Sequence, residues 1–219
     1  MYQDTKKEAV YQTLIRLGEG KEPIEFEVKM LEVPIGDKEG KEVIAKWHFD
    51  GIDSEDVFYT DSNGLEMQER KRDARPDWTM TSNMTVSNNY YPVSSAIAIR
   101  GKTSGAQVTV MNERAQGGTS LASGTIELMQ HRRLLCMDSL NINEALNETQ
   151  ADGRGIAVNT RYFVSFSNAN ITSVQRHTQL LIDEPILVWY STDFKVKSGP
   201  TPDVSDLNLT HRLTNFRPL

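Results

Sequence analysis

Apolar and charged residues alternate along most of this chain with the two-residue period of a β-strand. Ile24, Phe26, Val28 and Met30 alternate with Glu25, Glu27 and Lys29, which gives one apolar and one charged face. Val43, Ala45, Trp47 and Phe49 alternate in the same way with Ile44, Lys46 and His48. Strand patterns also cover Ala9 to Leu17, Tyr91 to Arg100, Ala106 to Met111, Thr125 to Leu135, Ile156 to Phe166 and Leu180 to Tyr190. Turn clusters such as Gly18-Glu19-Gly20, Gly36-Asp37-Lys38 and Gly101-Lys102-Thr103-Ser104-Gly105 separate them. Phe58 to Met67 reads as a hairpin, because Asn63-Gly64 tolerates the positive φ of a tight turn. No long window reads as a capped amphipathic helix. The pattern predicts an all-β fold, a large antiparallel β-sandwich over residues 1–196. Residues 197–219, with Gly199-Pro200-Thr201-Pro202-Asp203, read as a linker-like tail and a short incomplete C-terminal extension.

Composition narrows the class without naming a chemistry. The 219 residues are 38% hydrophobic and 25% charged, with a net charge of −6, which fits a globular protein rather than a disordered one. A pI near 5.3 argues against a nucleic-acid partner, which calls for a basic face. No apolar run is long enough to span a membrane as a helix, and Met1 to Lys7 carries no apolar signal region. Glycosylation sequons begin at Asn83, Asn147, Asn170 and Asn208.

Candidate chemistry is sparse. Cys136 is the single cysteine, so no intrachain disulfide and no cysteine zinc site can form; its apolar neighbours predict a buried, inert thiol. The four histidines, His48, His131, His177 and His211, have no metal-pair spacing, so no metal or cofactor is expected in this chain. Asp61 reads as a turn residue rather than an acid catalyst. Arg70-Lys71-Arg72-Asp73-Ala74-Arg75 reads as a solvated edge strand. Tyr90, Tyr91 and Trp78 are candidate sugar-stacking rings. As an unbroken strand, Thr125 to Leu135 would put Arg132 on one face with Ile126, Leu128 and Leu134, and Glu127, Met129, His131 and Arg133 on the other. A guanidinium among apolar side chains must meet a carboxylate or a ligand oxygen. Gln116-Gly117-Gly118-Thr119-Ser120 reads as a loop whose glycines admit close backbone approach.

Several stretches together resemble the C-terminal half of the glycoside hydrolase family 38 α-mannosidases, in their lysosomal or acid class. They are Phe58 to Met67, Asn88-Asn89-Tyr90-Tyr91-Pro92-Val93, Gln116 to Leu121, and Ile126-Glu127-Leu128-Met129 to His131-Arg132-Arg133-Leu134-Leu135. Val10-Tyr11-Gln12 and Gly40 to Ile44 fit the same register, so the likeness runs over roughly residues 8 to 165. It implies a supersandwich of the galactose mutarotase-like type, beside a catalytic α/β domain that carries the nucleophilic Asp and the zinc ligands. Those motifs are missing from this chain, so catalytic residues are expected to be none here and zinc belongs to the other domain. The resemblance implies a parent reaction of terminal α-mannoside hydrolysis with retention, in glycoprotein glycan turnover, in a lysosome, vacuole or secretory lumen. Gln116, Arg132 and Asp138 are its implied substrate-side residues. Where the family continues with two aspartates, glycine and arginine, this chain keeps Asp138 but has Leu140 at the arginine position. The expectation is a non-catalytic sandwich, inactive alone, whose partners are the catalytic domain and α-mannosides; the alternative is a stand-alone carbohydrate-binding or interaction module.

Overall fold

The computed structural model describes residues 11–19, 23–77, 79–80, 84–137, 144–168 and 172–184, with 172–175 as backbone only. The chain divides into two compact units, Met1–Ile171 and Thr172–Leu219. The first is built from strands β1 (Tyr11–Arg16), β2 (Ile24–Met30), β3 (Lys41–His48), β4 (Val57–Ser62), β5 (Glu66–Lys71), β6 (Tyr91–Val93), β7 (Ala96–Arg100), β8 (Gln107–Asn112), β9 (Gln116–Thr119), β10 (Thr125–Arg133) and β11 (Val158–Ser167). They form a seven-stranded sheet in the order β1-β2-β11-β8-β7-β4-β5 and a four-stranded sheet in the order β3-β10-β9-β6. Every named pairing is antiparallel. The expected all-β sandwich is the fold of this unit.

The core lies between the sheets. Phe58, Ile97, Val108, Val110, Tyr162 and Val164 from the larger sheet meet Val93, Ile126 and Leu128 from the smaller, all of them buried. Burying such a side chain contributes roughly 1.5–3 kcal/mol each. Trp47 stands edge-on to Tyr162 at 5.0 Å and to Phe26 at 6.2 Å between ring centres, which extends the core toward β3. At the β1 edge the apolar residues run out into solvent: Leu14 is 51% and Ile15 58% exposed.

Local expectations hold unevenly. The Asn63-Gly64 hairpin is present, with φ of 51° and 66° at the two turn residues. Asp61 Oδ2 accepts the Gly64 N–H at 2.7 Å, so Asp61 is the turn residue that its position suggested. Its other oxygen reaches farther, accepting the N–H of Ser95 at 2.9 Å and of Ala96 at 3.0 Å. Those two amides mark where Tyr91 to Arg100 departs from a single strand: β6 belongs to the smaller sheet and β7 to the larger. Asp61 thus holds both the hairpin turn and the corner where the chain changes sheets.

Other expectations are corrected. Gln116 to Thr119 is no loop but strand β9, between β10 and β6. What approaches its glycines is the sandwich itself. A Cβ on Gly118 would stand 2.7 Å from Val93 Cγ2 and 2.8 Å from Leu128 Cδ2, and one on Gly117 2.8 Å from Met129 Sδ. Cys136 is exposed rather than buried. Its apolar stretch does not continue β10, which ends at Arg133; the Leu134 N–H bonds the carbonyl of Leu146 at 2.9 Å and draws the chain off the sheet. The second unit begins with helix α1 (Thr172–Asp183), so Leu180 to Tyr190 does not start as a strand. The helix terminates just before Pro185, which disfavours helical geometry in the residue ahead of it. The rest of that segment and the expected boundary after residue 196 lie outside the described residues.

Candidate functional site

Strand β10 carries the chemistry the sequence pointed to, and a β-bulge decides where each side chain goes. Thr125 to Met129 pair with His48 to Ile44, but His131 pairs with Val43, so Gln130 is the extra residue. One inserted residue exchanges the two faces beyond it. Before the bulge Ile126 and Leu128 point into the core; after it Arg133 takes the inner side and Arg132 turns outward. Arg132 is therefore not among apolar neighbours. Its side chain is 53% exposed and faces Glu42 across the strand pair at 3.7 Å. Arg133 is the guanidinium that is enclosed, at 11% exposure. Its Nε donates to Asn147 Oδ1 at 2.7 Å and its Nη1 to the Val33 carbonyl at 3.2 Å.

Gln130 points inward at the bulge and completes a polar link between the sheets. Tyr162 on β11 donates its hydroxyl to Gln130 Oε1 and accepts from Gln116 Nε2 at 2.9 Å. Gln130 Nε2 donates to Thr160 Oγ1 at 3.0 Å, and Gln116 Nε2 also donates to the Met129 carbonyl at 2.6 Å. Gln116 is thus a cross-brace of the interior. Its Oε1 is buried with no partner among the described residues. Burial pushes the Tyr162 hydroxyl up to about 12.

On the other side of the smaller sheet sits a group that the pattern placed but did not single out. Glu127 is 7% exposed. It accepts from Lys46 Nζ at 2.7 Å and from the Tyr90 hydroxyl at 3.3 Å. Burial first, then the Glu127 charge, pushes the Tyr90 hydroxyl above the ordinary tyrosine range. A glutamate among apolar strand residues, paired across the register with Lys46, was the available signal.

Of the rings considered for sugar stacking, Tyr91 is already engaged. Arg70 and Arg75 lie 4.5 and 4.6 Å from the centre of the Tyr91 ring, whose edge contact is Phe58 at 5.7 Å. The basic cluster begins on edge strand β5 with Arg70 and Lys71 and runs on past its end, where it is structural as well as solvated: Arg72 donates to the carbonyls of Ser120 and Glu55. Trp78, Asp138 and Leu140 lie outside the described residues. Gln116 and Arg132 have different partners among the described residues.

An apolar opening lies elsewhere. Where β1 and β2 face β3, a cavity of about 430 Å³ is lined by Phe26, Val28, Met30, Val43 and Trp47, with Lys46 and Gln130 among its polar residues. Its described lining includes no carboxylate, so it does not hold the two facing carboxylates that glycoside hydrolysis calls for. Among the described residues no three His, Cys, Asp or Glu side chains gather to hold a metal. Nor, among them, is any helix long and apolar enough to cross a membrane.

Comparison with known proteins supplies what the geometry does not. The glycosyl hydrolases family 38 C-terminal domain matches residues 2–139, more than half of the chain. The chain belongs to glycoside hydrolase family 38. Its relatives include the lysosomal alpha-mannosidase of Felis catus, 45% identical over 69% of this chain, and that of Homo sapiens, 39% identical over 80%. A probable alpha-mannosidase of Arabidopsis thaliana is 33% identical over 92% of it. This family 38 chain spans only 14%, 16% and 20% of those proteins' own lengths. The Asp61 corner and the β10 bulge lie within the matched segment, as do Gln116 and Gln130 of the interior cross-brace; Thr160 and Tyr162 lie beyond it.

Proposed function

We propose that this chain is the non-catalytic sandwich portion of an α-mannosidase of the lysosomal type, and that it supports a catalytic domain carried on other polypeptide. The parent reaction would be hydrolysis of terminal α-linked mannose with retention, in glycoprotein glycan turnover, with the nucleophilic Asp and zinc on that other domain. The observation that carries this reading is the match of residues 2–139 to a domain named for its C-terminal place in the family. The relatives' names carry the activity and the lysosome, and most of their length lies outside the matched stretch.

The interior chemistry supports a scaffold. Gln116 is used to tie two sheets together, and the Tyr91 ring is stacked by arginines, so neither is laid out for a pyranose. Arg132 is different: exposed, paired among the described residues with another exposed side chain, and set on the strand with the densest resemblance. We assign Arg132 and Asp138 to the edge that faces the catalytic domain. The strands of the sandwich lie within the first unit, Met1–Ile171.

A chimera tests the reading. When this chain replaces the matching segment of a complete lysosomal α-mannosidase, the product should fold and cleave α-mannosides. A folded chimera without turnover would contradict the supporting role, and glycan-array binding by the isolated chain would favour a stand-alone module.

A further inference from the structure

The sequon Asn147-Glu148-Thr149 begins in the segment that links β10 to β11, and the fold treats this segment unlike a free loop. The Leu146 carbonyl is held by the Leu134 N–H at 2.9 Å. Thr149 and Gly155 form an antiparallel bridge, closed by the Gln150 N–H on the Arg154 carbonyl at 2.7 Å. The Gly155 N–H then reaches Glu32 Oε2 at 2.7 Å, which fastens the small hairpin to the segment after β2. Asn147 stands at the entrance to this hairpin, exposed, as are Glu148 and Thr149.

The Asn147 amide is oriented rather than free to turn. Arg133, enclosed and bonded to the Val33 carbonyl, donates from Nε to Asn147 Oδ1 at 2.7 Å. With the oxygen branch drawn inward, the nitrogen branch is the outer one. That nitrogen is the atom a glycan joins. A bulky, hydrated substituent there would extend from an exposed turn and displace no core contact.

We infer that Asn147 is an N-glycan attachment site. The bond formed joins Asn147 Nδ2 to the anomeric carbon of the reducing-end N-acetylhexosamine. The bond broken is the one from that carbon to the diphosphate of a lipid-linked oligosaccharide donor, and the lipid diphosphate leaves as the amide proton is released. This rests on the proposed lumenal location, because the donor and its transferase act in the secretory lumen. It adds a structural consequence: the turn at Asn147 stays open to solvent in the complete protein.

The test uses the protein isolated from its own cells after organelle fractionation. Treatment with a glycan-releasing amidase in ¹⁸O-water converts a glycosylated asparagine to ¹⁸O-labelled aspartate, read by peptide mass spectrometry. Most copies of the Asn147 peptide should carry the label, Thr149→Ala should abolish it, and Thr149→Ser should retain it. Thr149 bridges through its backbone, so these variants keep the hairpin. An unlabelled Asn147 in protein that fractionates with lysosomes overturns the site and leaves the location standing. An unlabelled Asn147 in cytosolic protein overturns both.

Discussion

Tyr162 of the larger sheet donates its hydroxyl to Gln130 Oε1 of the smaller, directly across the interior of the sandwich. Gln130 is the inserted residue of the β10 bulge: it keeps the inward side of Ile126 and Leu128, while the residues beyond it exchange faces and Arg132 turns outward. The bulge thus serves packing and surface at once, which is how such insertions are used when a strand must re-aim a side chain.

Removing that hydroxyl strands its partners. Tyr162→Phe leaves Gln130 Oε1 and one Gln116 N–H without their bond in a closed interior, at a cost of about 1–3 kcal/mol. A lower urea midpoint with an unchanged slope checks it. The pH dependence has a definite sign. The hydroxyl titrates near 10 when unfolded and is pushed up to about 12 by burial when folded. The neutral form is therefore favoured in the fold. That stability is full below pH 10 and is lost as the pH rises through 12. Tyr90 contributes a fall of the same sign, so Tyr162→Phe should flatten the alkaline loss without abolishing it.

The adjacent arginines should separate cleanly. Arg133→Met deprives Asn147 and the Val33 carbonyl of their donor in a mostly enclosed position, and should cost about 1–3 kcal/mol. Arg132→Met removes a 3.7 Å pair whose members are 53% and 42% exposed, and should change the stability of this chain by less than about 0.5 kcal/mol. In a complete relative, the substitution matching Arg132→Met should lower mannoside turnover with stability unchanged. Paired thermal melts and a turnover assay read the contrast; silence of Arg132→Met in both would remove the proposed edge role.

Asp61 should be among the costliest polar substitutions. Its carboxylate receives the N–H groups of Gly64, Ser95 and Ala96. Asp61→Ala leaves all three unpaired near the core, a loss of at least about 2 kcal/mol. Asp61→Asn keeps one acceptor oxygen and should fall between it and the parent. Urea midpoints of the three proteins give the order.

Much of the fold was legible in the residues, for a physical reason. Alternation fixes which side of a strand is apolar, so Ile24 to Met30 was bounded to the residue, and Asn63-Gly64 marks a turn by its backbone tolerance. Alternation does not announce an inserted residue. Gln130, a polar side chain among Ile126, Leu128 and Arg132, was the one sign that the period breaks, and without it the faces of Arg132 and Arg133 were exchanged. The glycines of β9 suggested an outside visitor, whereas Val93, Leu128 and Met129 take up the space. Helix α1 escaped because Leu180-Leu181-Ile182 joins Ile186 to Tyr190 into one apolar run unless Pro185 is read as a stop. The site was the least legible part. Gln116 is chemically able to hold a sugar hydroxyl, and only the position of Tyr162 reveals that its amide is spent on the interior.

The most direct measurement is mannose release by the purified 219-residue chain from a chromogenic aryl α-mannoside with zinc supplied, alongside a complete lysosomal α-mannosidase as positive control. A division of labour that keeps bond cleavage on another domain predicts release no faster than the buffer blank. Zinc-dependent release by this chain alone, abolished by denaturing it, would contradict that division.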